Sequence, residues 1–350
     1  MTIPTEPIGS IPRPVQLVEA MQNGAAPDQL ESLYDDAVRD TIARFEQTGS
    51  PVISDGEQRK PSFVTYPING LSTLASDGAV IPFADGHTRQ LPLLTAGPFR
   101  YQTYAVDYLR DAQRHASRPV KQAVISASAL SLLYPSDGIE SYPREAFIAD
   151  LVDEAETDIR QALEQGADSV QVDFTEGRLS LKLDPSGGLL QQLVDLNNQV
   201  FARFNDDERR RIGVHTCPGG DHDSTHSADV DYADLLPTLM QMNVGRFYMQ
   251  LASERDPGAV LDLVRENLRP GQRVFVGVID PINETVETPE QVRDRVLEAA
   301  VHIPLDQLGT TDDCGFSPFA DDTSTARDTA FAKIEARVKG TQLAADELRA

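Results

Sequence analysis

Ile212-Gly213-Val214-His215-Thr216-Cys217 carries both a fold signal and a chemical one. Its first three residues make a short apolar run, which suits a strand buried on both faces of a parallel sheet. In extended backbone, residues i and i+2 point to the same side. His215 and Cys217 at the strand end can therefore face one ion. The chain has 2 cysteines. The second, Cys314, lies in Thr311-Asp312-Asp313-Cys314-Gly315, after another short run. Two thiolates and an imidazole are ligands that Zn²⁺ prefers, and three protein ligands with an open fourth position describe a catalytic zinc. A disulfide or two inert core thiols would use the same pair. The start, Met1-Thr2-Ile3-Pro4-Thr5-Glu6-Pro7-Ile8, lacks a signal peptide's basic segment and long apolar stretch. A cytoplasmic protein with reduced thiols is the expectation.

Outward from this stretch, short β-branched runs alternate with amphipathic ones. The candidate strands are 51–54, 90–95, 121–126, 169–173, 212–215, 246–250, 273–279 and 307–311. Helical spacing runs over 28–48, 144–166, 186–204, 231–242, 258–268 and 289–300, with Gly166 as a stop and Thr288-Pro289 as a start. This alternation predicts an α/β protein, a single (β/α)₈ TIM barrel over residues 1–350, with a hairpin-like excursion around 75–90. A doubly wound sheet is the competing architecture, and the chain has no Gly-x-Gly-x-x-Gly loop to support it.

The chain has 350 residues, 40% hydrophobic and 25% charged, with a formal net charge of −24. Such a surface repels phosphate backbones, so no nucleic-acid partner is expected, and no segment suits a membrane span. Self-association is left open by the sequence.

Polar residues collect at the carboxyl ends of the candidate strands, where such barrels build their active sites. Asp55 and Glu57 follow the first, Asp173 and Glu176 the fourth, His215 and Cys217 the fifth, Gln250 the sixth, Asp280 the seventh and Cys314 the eighth. Each has a plainer reading: a strand-end cap for Asp173, a solvated loop carboxylate for Glu176, a turn cap for Asp55. His222 and His226, in Gly219-Gly220-Asp221-His222-Asp223-Ser224-Thr225-His226, are candidate ligands or proton donors, or simply loop residues. Arg178 and Lys182 can pair with an anionic substrate or start a surface helix, and Arg13 near Ser10 has the same two readings.

Gly9-Ser10-Ile11-Pro12-Arg13-Pro14, Gly56-Glu57, Thr95-Ala96-Gly97-Pro98, Val170-Gln171-Val172-Asp173, His215-Thr216-Cys217 and Asp313-Cys314-Gly315 occur in that order. Together they resemble the catalytic domain of cobalamin-independent methionine synthase, over nearly the whole chain. The resemblance implies a zinc-dependent transfer of a methyl group to a thiol, with homocysteine as acceptor and a methyl-tetrahydrofolate as donor. It implies His215, Cys217 and Cys314 as zinc ligands. Ile8, Gly9 and Ser10, with Glu57 and Asp173, match positions that hold the amino-acid part of homocysteine, and carboxylates suit its ammonium group. Arg13 and Glu176 are further candidate substrate contacts. The chain departs from the family in three ways. It shows no second, N-terminal barrel. The family's glutamate ligand falls at Gln250, with Glu254 four residues on. The family's Asp-x-His reads Asp280-Pro281-Ile282. Epoxyalkane:coenzyme M transferase, a related zinc enzyme that joins coenzyme M to an epoxide, is the second expectation. A metal-free decarboxylase of the uroporphyrinogen type, or a zinc-binding module without activity, comes after it.

Overall fold

The computed structural model describes residues 2–349. Its centre is a parallel sheet of six strands: β1 (Gln122–Ile125), β2 (Val170–Asp173), β3 (Ile212–Thr216), β4 (Arg246–Met249), β5 (Arg273–Gly277) and β6 (Leu308–Thr311). Each strand pairs with the next in sequence, so the sheet order is the chain order. Every residue of β1, β2, β3 and β6 is buried, which explains why they read as continuous apolar runs rather than alternating ones. The register aligns Ile125 with Asp173 and Asp173 with His215. Acid and imidazole are thereby set side by side on neighbouring strand ends.

Helices connect the strands, as helical crossovers must between parallel neighbours. Arg144–Glu164 ends before Gly166, whose φ of 93° only glycine adopts freely. Pro289–His302 opens on a capping box between Thr288 and Gln291 with proline at its start. Among the described residues no helix is long and apolar enough to cross a membrane.

Each edge of the sheet carries one further segment, held by a single parallel bridge. Thr5 pairs with Thr310 of β6, and Ile53 pairs with Val120 just before β1. Those two segments also meet each other. The Ser54 hydroxyl donates to the Gly9 carbonyl at 2.9 Å, and the Ile11 amide donates to the Gly56 carbonyl at 3.0 Å. Residues 90–95, expected as a sheet strand, are not in the sheet. Leu93–Leu94 pairs antiparallel with Leu74–Ala75, and Thr88–Gln90 pairs with Val80–Pro82 as a hairpin. Pro92 lacks the amide hydrogen that a central strand must donate, so this run suits an outer position. Its expected place, between 51–54 and 121–126, is closed by the direct bridge of Ile53 to Val120, and the N-terminal segment adds at the opposite edge.

Candidate functional site

His215, Cys217 and Cys314 converge at the carboxyl ends of β3 and β6, with their donor atoms within 4.8 Å of one another. The two sulfurs are 3.0 Å apart and unbonded, so the cysteines are free thiols. The His215 ring sets its own tautomer. Its Nδ1 lies 3.3 Å from the Tyr248 carbonyl, which only accepts, so Nδ1 carries the proton. Nε2 is left with its lone pair, buried and without a partner. An orphaned imidazole nitrogen beside two thiols fits a zinc ion, and the backbone carbonyl behind Nδ1 is the usual orienting contact of a metal-binding histidine. Burial and the neighbouring Cys217 thiol push the Cys314 thiol well above its ordinary pKa. Without a cation Cys314 stays protonated.

Loops from opposite ends of the chain frame this cluster. The Gly315 α-carbon leaves no room for a side chain, because a Cβ would lie 2.1 Å from Ser10 Oγ. Ser10 in turn accepts from the Ser317 amide at 3.1 Å, and its carbonyl accepts from Phe316 at 3.0 Å. Asp313 faces away from the metal cluster. Its carboxylate accepts from the Leu251, Ala252 and Ser253 amides, each at 2.8 Å, and from the Ser253 hydroxyl at 2.6 Å. It thus pins the loop after β4 next to Cys314. Gly219 has φ +71°, and a Cβ there would fall 1.8 Å from His226 Nε2, so the loop after β3 turns sharply only because this residue is glycine.

An inner chamber of about 30 Å³ brings together Ile8, Ser10, Glu57, Asp173, His215, Cys217 and Cys314. Gly9 lies between Ile8 and Ser10 in the same segment. Glu57 has a left-handed backbone, φ 56°, which is unfavourable for a residue with a Cβ. It is held there by the Asp55 carboxylate, which accepts its amide at 3.0 Å, and by Arg13, which donates to its carbonyl at 2.6 Å. Lys60 is the cation among these acids, 3.1 Å from Glu57 Oε1 and donating to the Ala123 carbonyl at 2.9 Å. Burial alone would lower its pKa, but Glu57, Asp55 and Asp173 outweigh it and hold the ammonium above its ordinary value. Asp173 is raised to about 6 by burial, with His215 pulling down and Glu57 pushing up. Lys60 went unnoticed in the sequence, although its spacing of three from Glu57 was the available signal.

Several candidates sit elsewhere. Arg13 does not line the chamber. Its two terminal nitrogens donate to the carbonyls of Ser317, Phe319, Glu57 and Lys60, which ties the two loops together from behind, while Nε has no partner. Arg178 is buried, stacked 4.2 Å over Tyr232 and paired with Glu254. Glu254 also accepts from Gln250 at 2.9 Å, and it is not in the metal cluster. Of the two residues near the family's glutamate position, Glu254 is therefore not placed to join His215, Cys217 and Cys314. Lys182 is spent on Asp229 and the His226 carbonyl, both at 2.8 Å. Asp280 caps its own turn, accepting from Ile282 at 3.0 Å.

Glu176 lies outside the inner chamber, in an outer one of about 420 Å³. Phe63, Thr175, Gly219 and Gly220 line both. The hairpin of residues 80–90 borders the outer chamber through Ile81, Phe83, Arg89 and Gln90. Arg89 clasps it to the loops behind β3 and β6, donating to Asp221 at 2.5 Å and to Asp321 at 2.9 Å. His222 belongs to this clasp, 3.2 Å from Arg89, while His226 packs edge-on against Phe83. Neither is a metal ligand among the described residues.

Comparison with known proteins agrees with this picture. The family described as "Cobalamin-independent synthase, Catalytic domain" matches residues 3–330. Methionine synthase of Sulfurisphaera tokodaii is 22% identical over 99% of this chain and 94% of its own length. The 5-methyltetrahydropteroyltriglutamate–homocysteine methyltransferase of Bradyrhizobium diazoefficiens is 23% identical over 89% of this chain and 38% of its own. A B12-independent methionine synthase from Shewanella sp. W3-18-1, solved with selenomethionine, has the same fold. Its TM-score is 0.80 at 20% identity, covering 100% of this chain and 99% of that one. By sequence match and by fold, the chain belongs to the cobalamin-independent synthase family, whose catalytic domain it carries.

Proposed function

We propose that this protein is a zinc-dependent, cytoplasmic methyltransferase that moves a methyl group from a methyl-tetrahydrofolate to the sulfur of homocysteine, giving methionine. The observation that carries the reading is the partnerless Nε2 of His215 beside two free thiols, in a chamber walled by Glu57 and Asp173. His215, Cys217 and Cys314 would hold the zinc, and Glu254, committed to Arg178, would not join them. Bound zinc lowers the pKa of a thiol so that a thiolate is present at neutral pH. The two segments bridged at Thr5 and Ile53 complete an eight-membered barrel around the site.

The chain's own residues do the rest. Glu57 and Asp173 receive the acceptor's ammonium group, and the segment Ile8–Ser10 lines its other side. Since the inner chamber is small, the acceptor extends into the outer one, and the donor fills the remainder beneath the hairpin. The thiol loses its proton, its sulfur forms a bond to the methyl carbon, and the carbon–nitrogen bond breaks with its electron pair returning to nitrogen. The apolar walls of the outer chamber, Phe63, Phe83, Leu91 and Phe319 among them, exclude water from that displacement.

Coenzyme M and an epoxide gain no support from the relatives named above. A sulfonate would also be placed against Glu57 and Asp173, with Lys60 already paired. Family membership counts against the decarboxylase reading. Purified protein should carry one zinc per chain and form methionine from homocysteine and methyl-tetrahydrofolate. A preparation that holds zinc yet methylates no thiol would sink the enzymatic reading.

A further inference from the structure

The displacement proposed above leaves one demand unmet. An amine nitrogen departs poorly from carbon unless it is protonated, so an acid must stand in the outer chamber where the donor lies. The ionisable side chains that line that chamber are Tyr34, Arg89, Glu176, His226 and Asp321. Arg89 never releases a proton at these pH values and is clasped to Asp221. Asp321 pairs with Arg89 and is held below the usual carboxylate range, against the upward pull of burial. Burial drives His226 down to about 4, with Lys182 adding to the effect, so its ring is neutral near pH 7. Tyr34 is raised by burial, and its hydroxyl lies 3.2 Å from the Met21 sulfur.

Glu176 differs from all of these. It is 5% exposed. Its Oε1 accepts from the hydroxyls of Ser126, at 2.7 Å, and Ser128, while Oε2 is buried with no partner. The two serines come from the loop and short helix after β1, so an element other than its own helix holds the carboxyl.

We propose that Glu176 is the proton donor of the reaction, giving its proton to the departing nitrogen of the methyl donor. The assignment rests on the methyltransferase reading. Burial raises the carboxyl to about 7, with the charge of Asp173 pushing the same way and the serines pulling back. Of the cations near by, Arg178 is turned to Glu254, and Lys182 to Asp229 and the His226 carbonyl. Glu176 is therefore substantially protonated near neutral pH, which suits a general acid. The balance is complete. The acceptor thiol gives up one proton, the nitrogen keeps the C–N electron pair and takes the proton of Glu176, and the carboxylate is reprotonated from water once the product has left.

The test compares the zinc-loaded wild type with Glu176→Gln, whose amide oxygen can still accept from both serines. Two methyl sources are offered to the homocysteine complex: methyl-tetrahydrofolate, and methyl iodide, whose iodide leaves without a proton. The expected loss in single-turnover rate is about 100-fold or more with the folate. With methyl iodide it is under about threefold, in keeping with a group that acts only on a leaving group needing a proton. The alkaline fall in the wild-type folate rate should vanish in the variant. Equal loss with both donors, or no loss with the folate, overturns the role of Glu176. A wild type that methylates homocysteine from iodide but never from the folate refutes the folate reading itself, and the acid role with it.

Discussion

Replacing Asp313 by asparagine tests how the loop after β4 is fixed beside the metal cluster. The carboxylate accepts four hydrogen bonds, two at each oxygen. An asparagine oxygen placed at Oδ1 keeps the Leu251 and Ala252 amides, but its NH₂ then faces the Ser253 amide, which can only donate, and the Ser253 hydroxyl, which must turn round to accept. Two bonds to a charged acceptor, each contributing about 1.5–3 kcal/mol, are lost. The variant no longer buries a charge, and this relief returns part of the loss, leaving a net destabilisation of about 2–4 kcal/mol. For a chain of this size each kcal/mol lowers Tm by roughly 2 °C, so the midpoint should fall by about 4–8 °C. The measurements are urea unfolding of the metal-free protein by circular dichroism and a competitive zinc titration of the folded form. Because Asp313 immediately precedes Cys314, zinc affinity should also fall about 10–100-fold, as when a contact that orients a metal ligand is removed. Stability within about 0.5 kcal/mol of wild type, together with unchanged zinc affinity, would show that the loop is held by something else.

Glu176→Gln should also change the pH dependence of stability. The native carboxyl titrates near 7 and the unfolded one near 4.5, so the native state binds more protons between those values. Stability contributed by this residue is full below about 4.5 and is lost as pH rises towards 7. At pH 8 the glutamine variant should therefore be more stable than wild type by about 1–3 kcal/mol, and a wild type that is the more stable one there refutes the shift. Loading zinc into the metal-free protein at pH 7 should release protons, since both thiols ionise on binding, and pH-stat titration of Cys314→Ser should show fewer released and weaker binding. Arg178→Met, which leaves Glu254 with Gln250 alone, should cost about 2–3 kcal/mol. Adding Glu254→Gln should recover most of it, and strict additivity in that double-mutant cycle would deny the pairing. Arg89→Ala should speed amide exchange over residues 80–90 while leaving β3 protected; unaltered exchange would mean the hairpin does not depend on its clasp.

The pairing of His215 with Cys217 on one side of a strand end, and the alternation of strand and helix, were legible in the sequence because each rests on local rules. Period-two geometry links His215 to Cys217, and runs buried on both faces announce β1 to β6. What escaped were features decided at long range. The helix Arg327–Glu347 carries Lys333 and Arg337 on its buried side, neutralised by Glu287 and Asp312, so its core face does not look apolar. The run 90–95 has the composition of a core strand, and only Pro92 betrays its outer place. Thr5 joins the sheet through a single bridge between two prolines, which no propensity scale would favour. At the site, the position of Glu57 depends on Arg13, and the fate of Glu254 on Arg178. Partners so distant in sequence leave no periodic trace.

The union of the two chain ends has a consequence for biosynthesis. Ser10 meets Phe316 and Ser317, and Thr5 meets Thr310, so these contacts join segments that lie far apart in the chain, 307 positions in the case of Ser10 and Ser317. On the ribosome the segment around Thr5 waits unpaired until Thr310 has been made, and His215 and Cys217 emerge long before Cys314 does. The chamber is thus finished only after Gly315 and the residues just beyond it have left the exit tunnel, so the His215, Cys217 and Cys314 cluster assembles late in the order of synthesis.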